Sequence, residues 1–216
     1  PLSGLMLPQL WDLGLLPPQM TMPVEAFAPG NPIVNELITD PLNITNPLPQ
    51  EKPIDYIMVT LWDEIDPLLN LGGGIGLLLP DGTLVNPDGS PFQITAPFGQ
   101  ALPERARNGL HARNHLDGIS TLAYDLEDGL LIPFTDPASL VNLDQNGMKA
   151  SPFGNFGLTA GDTNDDRIID AADRSATWNN RTLSGYLGAD VNLDGIIDAA
   201  DRSKTWNNRL SDTDNP

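Results

Sequence analysis

The chain reads as mainly β with a small α part: a Pro-rich apolar arm over residues 1–52, a β-sandwich over 53–150, and a tandem pair of loop–helix repeats over 151–216. Three observations predict this. The N-terminal quarter is crowded with proline and large apolar residues. The middle is a series of short β-branched runs separated by turn signals. The C-terminal part repeats itself almost word for word.

The arm reads PLSGLMLPQLWDLGLLPPQMTMPVEAF, then APGNPIVNELITDPLNITNPLPQEK. Leu5, Met6, Gln9, Leu10, Trp11 and Leu13 line a short helix with Gly14 as its C-cap. Elsewhere the prolines exclude a helix interior or a central strand. The segment is nevertheless too apolar for a solvated linker. Its side chains therefore cover either the chain's own β-domain or a neighbouring subunit.

In the β region, residues 54–62 (IDYIMVTLW) form a strong strand, rich in β-branched and aromatic residues. Gly72, Gly73 and Gly74 read as a flexible turn before a short buried strand over 75–79. Asp81-Gly82 and Asp88-Gly89 are hairpin signals flanking a strand at 83–86. Further short strands are expected at 92–95, 110–116, 122–126 and 130–134. Short strands at this spacing suggest a sandwich.

Residues 162–181 read DTNDDRIIDAADRSATWNNR and residues 190–209 read DVNLDGIIDAADRSKTWNNR. The copies differ only at Thr163/Val191, Asp165/Leu193, Arg167/Gly195 and Ala176/Lys204. Each opens with oxygen-bearing side chains at loop positions 1, 3, 5, 9 and 12, the ligand spacing of a calcium loop followed by a helix. In the first loop these are Asp162, Asn164, Asp166, Asp170 and Asp173, with the Ile168 carbonyl at position 7. In the second they are Asp190, Asn192, Asp194, Asp198 and Asp201, with the Ile196 carbonyl. Calcium is a hard cation that takes six to eight oxygens, so two ions are expected. Position 6 favours Gly for its sharp turn. Gly195 meets this and Arg167 does not, at a cost of roughly 1 kcal/mol, so the first loop is expected to bind more weakly. Ile169 and Ile197, at position 8, are expected to exchange apolar contacts. Trp178 and Trp206, at equivalent helix positions, are expected to pack the two helices together as core.

The pair resembles a dockerin-type repeat, whose loops follow D-x-N-x-D-G with Asp at position 12. The wording DAADRSATWNNR and DAADRSKTWNNR is similar to C-terminal modules of large secreted and surface proteins of Bacteroidetes-like bacteria. The likeness extends upstream through GLMLPQLWDLGLLP, IDYIMVTLWDE, LLLPDGTLVNPDGSPF, HARNHL and NGMKA, which look like the β-domain preceding such repeats. The resemblance implies a calcium-dependent module and no agreed activity for the β-domain. Two departures stand out: Arg167, and the stretch FGQALPERARNGLHARNHL, which lacks a continuous Val/Tyr-rich strand. Cohesin docking is not expected, because the helix faces are nearly identical between the copies rather than varied.

Net charge is −18, from 29 acids against 11 bases. No basic face is available to displace counterions from phosphate, which argues against nucleic acid and against an anionic membrane surface. No uninterrupted apolar run reaches the ~18 residues of a membrane span. Cysteine is absent, which excludes disulfides, thiolate metal sites and cysteine catalysis. Weak calcium loops need the millimolar calcium found outside cells, so a secreted or cell-surface location is expected. The opening at Pro1, with no basic residue before Lys52, reads as a mature product or a fragment.

Other chemistry-bearing residues weigh little. His111 and His115, with Arg113 and Asn114, read as strand-end polar groups rather than zinc ligands, because no third ligand is evident. Asp63, Glu64 and Asp66 read as a solvated loop rather than a glycosidase pair. Gly72–74 lacks the Lys and Ser/Thr of a phosphate loop. Ser120 and Ser139 lack a nucleophile-elbow context. Asn43 and Asn180 match weak glycosylation sequons. The expectation is a secreted, calcium-stabilised structural protein without enzymatic activity. It is a self-associating subunit of an extracellular fibre held by head-to-tail contacts, or alternatively the C-terminal stalk or anchoring module of a longer surface protein. A carbohydrate-binding module, with surface glycans as partners and Trp62 and Tyr124 as platforms, is the third reading.

Overall fold

The computed structural model describes residues 7–23, 36–66, 69–94, 102–126, 148–150 and 156–212. The expected strand at 130–134, together with Leu5, Met6, Thr95 and Ser139, lies outside them. The chain is mainly β with a small helical part. Among the described residues no helix is long and apolar enough to cross a membrane.

The arm opens with α1 (Gln9–Asp12). Gly14 follows at φ +66 and donates to the Trp11 carbonyl at 2.9 Å, a left-handed helix end that glycine adopts without cost. β1 (Thr21–Pro23) and β2 (Glu36–Ile38) then form a small antiparallel ladder.

The body is one curled antiparallel sheet built from β3 (Asp55–Trp62), β4 (Asn70–Leu78), β5 (Leu84–Val85), β6 (Arg105–His111) and β7 (Gly118–Ile119), in the order β5-β4-β3-β6-β7. β8 (Tyr124–Asp125) pairs with the start of β6. Both turn signals around β5 are real: Gly82 and Gly89 sit at φ +92 and +85.

Several strand assignments need correction. Residues 92–94 form no strand, and the strand expected at 110–116 lies earlier, at Arg105–His111. Gly72, Gly73 and Gly74 are not a turn but lie inside β4, paired across from Leu61, Thr60 and Val59. The Phe92 ring accounts for two glycines of the strand: a Cβ on Gly76 would come within 2.8 Å of it and one on Gly74 within 3.2 Å. The small residues make room for an aromatic lid on the sheet. The polar run RARNGLH, which lacks the expected β signature, is β6 and sits beside β3 in the sheet interior. Tertiary pairing overrides local propensity there.

One core cluster joins Leu10 and Leu16 of the arm to Tyr56, Met58, Ile75 and Leu77 of the sheet. The Tyr56 hydroxyl also donates to the Pro17 carbonyl at 2.9 Å. The described start of the arm therefore covers its own sheet. Tyr186 and Leu193, from the repeat region, pack against the same cluster.

Beyond the sheet, β9 (Met148–Ala150) pairs with β10 (Phe156–Leu158). The repeats follow: β11 (Ile168–Ile169) leads into α2 (Ala171–Asn179), and α3 (Ala199–Asn207) precedes β12 (Ser211–Asp212). Each helix starts on a capping box. Asp170 accepts from the Ala172 amide and Asp198 from the Ala200 amide, both at 2.6 Å, satisfying N–H groups that a helix start leaves open.

Candidate metal loops and the clasp beneath them

The two loops share one hydrogen-bond scaffold, position by position. Asp162 accepts from the amides of Asp166 (3.2 Å) and Arg167 (2.9 Å). Asp190 accepts from Asp194 (3.1 Å) and Gly195 (2.9 Å). The Asn164 amide donates to Asp166 at 2.8 Å, as Asn192 does to Asp194 at 2.9 Å. Asp166 and Asp194 each accept from the position-7 amide, of Ile168 and Ile196, at 3.0 Å. The position-12 carboxylates reach back across the loop. Asp173 accepts from Thr163 (2.7 Å) and Asp170 (2.8 Å), and Asp201 from Val191 (2.8 Å) and Asp198 (2.9 Å). Asp170 and Asp198, at position 9, also serve as the helix caps.

Position 6 turns left-handed in both copies, with Arg167 at φ +68 and Gly195 at φ +85. Arg167 thus occupies a glycine conformation. Its guanidinium reaches Asp117 of the body at 3.8 Å, a contact that offsets part of the strain.

Burial and like charge act on these acids. The Asp162 carboxyl is pushed up to about 7, first by burial, with Asp173 and Asp165 repelling its charge against the pull of the Arg167 and Asp166 amides. Asp190 is also raised by burial, opposed by the Gly195 amide and the Arg113 charge. Among the described residues no three carboxylate or imidazole groups converge as a ready-made metal cluster. The loop oxygens are turned onto loop amides instead, and each set mixes carboxylates with an Asn amide and backbone. The donor set fits calcium in type and order: all are hard oxygens, and no sulfur or imidazole intervenes.

One pairing adds to expectation and one placement differs from it. The position-7/8 backbone of each loop pairs with the segment following the other repeat's helix. Ile168 and Ile169 pair with Asp212 and Ser211, while Ile197 exchanges hydrogen bonds with Thr182 and Leu183. Ile169 and Ile197 are buried as foreseen. Trp178 and Trp206, by contrast, are not core: they are 46% and 38% exposed. They tie the helices together by cation–π stacking. Arg174 of α2 lies 4.3 Å from the Trp206 ring and Arg202 of α3 lies 4.6 Å from the Trp178 ring. Arg209 and Arg181 add a second guanidinium to each, at 4.4 and 4.3 Å.

The HARNHL segment does what sequence reasoning missed: it clasps the repeats to the sheet. Arg113 donates to Asp55 on β3 at 3.1 Å and to the Leu187 carbonyl, stacks 4.1 Å from the Tyr186 ring, and stands 4.0 Å from Asp190. Tyr186 donates to the same Asp55 at 2.5 Å. Burial raises the Asp55 carboxyl even against these partners. The fully buried Asn114 addresses both loops. Its side chain donates to the Asp190 carbonyl at 2.6 Å, and its own carbonyl accepts from Gly161, just before the first loop, at 2.8 Å. From the other side, Asn208 donates to the Ala160 carbonyl at 2.6 Å. The arm also touches the second loop: a Cβ on Gly195 would lie 2.5 Å from Leu15 and 2.9 Å from Leu13.

The histidines are structural. His111 bonds Thr60 at 2.8 Å and Asp117 at 2.9 Å, the order of a hydroxyl–imidazole–carboxylate relay. Thr60, however, is 1% exposed and already accepts from Trp62 at 2.7 Å. His115 bonds Asn114 at 2.7 Å. Its pKa is lowered to about 3 by burial, helped by Lys204 and Arg113, which keeps it neutral at pH 7. No known family model matches the chain, and no curated protein or solved structure matches it.

Proposed function

We propose that this is a secreted, calcium-stabilised structural protein with no catalytic role, whose two loops each take one calcium ion. The observation that carries the reading is the scaffold shared by both loops, in which every ligand-position side chain is held by equivalent amides. Asp162, Asn164, Asp166, Asp170 and Asp173, with the Ile168 carbonyl, would hold one ion. Asp190, Asn192, Asp194, Asp198 and Asp201, with the Ile196 carbonyl, would hold the other. An ion in each would offset the burial and the like-charge repulsion that lift the Asp162 carboxyl, so its binding free energy becomes folding free energy. The dockerin-type resemblance agrees with this reading. Burial on the second face of β3, at Ile57, Val59 and Leu61, supports a body covered on both sides, as in a sandwich.

Thermal melts of the full chain in millimolar calcium and in chelator test the proposal. It expects a marked rise in Tm with calcium. Identical melts in the two buffers would refute it.

Which structural role is served turns on the arm. Its described start packs on its own sheet and on Gly195, which favours a self-contained stalk or anchoring module. A fibre subunit remains the second reading, and it requires a contact made by surfaces other than this part of the arm.

A further inference from the structure

The outward face of the two helices has the make-up of a protein interface. Trp178 and Trp206 are half exposed, and Leu183, Ile168, Ile196 and Leu210 beside the loop pairings are at least as exposed. Contiguous exposed apolar groups bordered by polar ones mark interaction sites, and Trp with Arg dominates binding energy at such sites.

The charges on this face are unusual for so acidic a chain. Lys52, Arg105, Arg113 and Arg167 each pair with a carboxylate. No carboxylate of the described residues pairs with Arg174, Arg181, Arg202, Lys204 or Arg209. The guanidiniums of the four arginines lie on tryptophan rings instead. Arg181 and Arg209 also donate to the Trp178 and Trp206 carbonyls at 2.9 Å, and each five-donor fork keeps further N–H groups for an incoming anion. The two repeats also agree at the exposed helix positions Ser175/Ser203 and Asn179/Asn207, differ on the helices only at Ala176/Lys204, and otherwise differ in the loops.

A complementary surface lies at the other end of the sheet. Between β3 and β4 the chain reads Asp63-Glu64-Ile65-Asp66, and Ile65 is 90% exposed at its tip. The Asp63 carboxyl is held below its usual range by the amides of Asp66 and Ile65, which keeps it charged. Glu64 pairs with Arg105 at the surface. The tip is therefore an apolar centre rimmed by carboxylates, facing outward. The repeats attach at Asp55, where β3 begins, and the tip follows Trp62, where β3 ends, roughly 23 Å of strand away.

We propose that the Asp63–Asp66 tip of one copy docks on the Trp178/Trp206 face of a second copy of this chain. Ile65 enters between the tryptophans, and the Asp63 carboxylate meets the remaining guanidinium N–H groups. Because the two surfaces are different patches of the chain, the contact is head-to-tail. Such contacts propagate into filaments unless they close into a ring. The contact rests on the calcium reading only in that the helix face must be folded to form it.

Sedimentation of the full chain in millimolar calcium, with circular dichroism on the same samples, tests this. Concentration-dependent polymers are expected. Ile65→Asp, at a position without packing partners to lose, should weaken assembly at least tenfold while leaving the spectrum unchanged. Ser175→Glu with Ser203→Glu should do the same by placing acid on the helix face without touching the stacks. The natural chain has no cysteine, so Ile65→Cys combined with Ser203→Cys should give an intermolecular disulfide ladder on oxidation. A folded chain that stays monomeric, or polymers indifferent to Ile65→Asp and giving no ladder, would overturn the contact while leaving the calcium reading intact. Repeats that remain unfolded in calcium would instead refute the calcium reading.

Discussion

The Asn114 side chain donates to the Asp190 carbonyl at 2.6 Å, so the segment after β6 grips the second loop at its first acid. Arg113, one residue earlier, joins Asp55 of the sheet to Leu187 and Tyr186 of the repeats. Body and repeats are therefore one mechanical unit, with the loop acids at the seam.

Arg113→Ala should cost about 3–5 kcal/mol, because it leaves Asp55 buried without its cation. Chemical denaturation measures this. Adding Asp55→Asn to the same chain should recover part of the loss, and full additivity of the two changes would show that the pair is not coupled.

Arg167→Gly removes a side chain from the left-handed position at φ +68 but also removes a partly exposed ion pair at 3.8 Å. Strain relief is worth about 1 kcal/mol or somewhat more, and a partly exposed pair about 0–1 kcal/mol. The expected outcome is tighter calcium binding at one of two sites and a small gain in stability. A loss above about 1 kcal/mol would show that the Asp117 contact dominates.

Trp206→Ala and Trp178→Ala should each loosen the helix pair by about 1–3 kcal/mol, from two cation–π contacts and partial burial. A double-mutant cycle between Arg174 and Trp206 should return a coupling of about 0.5–1 kcal/mol. Zero coupling would make the stacking incidental.

These tryptophans show where the sequence was legible and where it was not. The two loop–helix units were readable because their repeat is a local property, and the left-handed turn at Arg167 falls where the other copy places glycine. Gly14, Gly82 and Gly89 were readable for the same reason. Gly74 was misread because the Phe92 ring that a side chain there would meet comes from another part of the chain. Residues 105–111 were missed because RARNGLH carries no strand pattern of its own and is held by β3. Trp178 and Trp206 were assigned to the core on residue type, whereas arginines from the partner helix let them stay exposed. The clasp was invisible because Asp55, Arg113 and Tyr186 are far apart in the chain and carry no motif.

The chain in chelator should respond to pH through Asp162. Its carboxyl titrates at about 7 in the fold against about 4 when unfolded. Between those values the folded state holds a proton that the unfolded state lacks. The contribution of this group to stability is therefore fullest in acid and falls as pH rises toward 7. Calcium needs the ionised form, so its affinity should fall as pH drops below about 7. Melts in chelator and calcium titrations across this range read the two opposed slopes, and parallel slopes would contradict the assignment.

The central claim is that two calcium ions sit in the two loops. Calorimetric titration of calcium into the chelator-stripped full chain tests it most directly, with Asp173→Ala and Asp201→Ala run alongside. The account predicts two ions per chain, one lost in each variant. No heat at millimolar calcium, or a stoichiometry that neither variant changes, would contradict it.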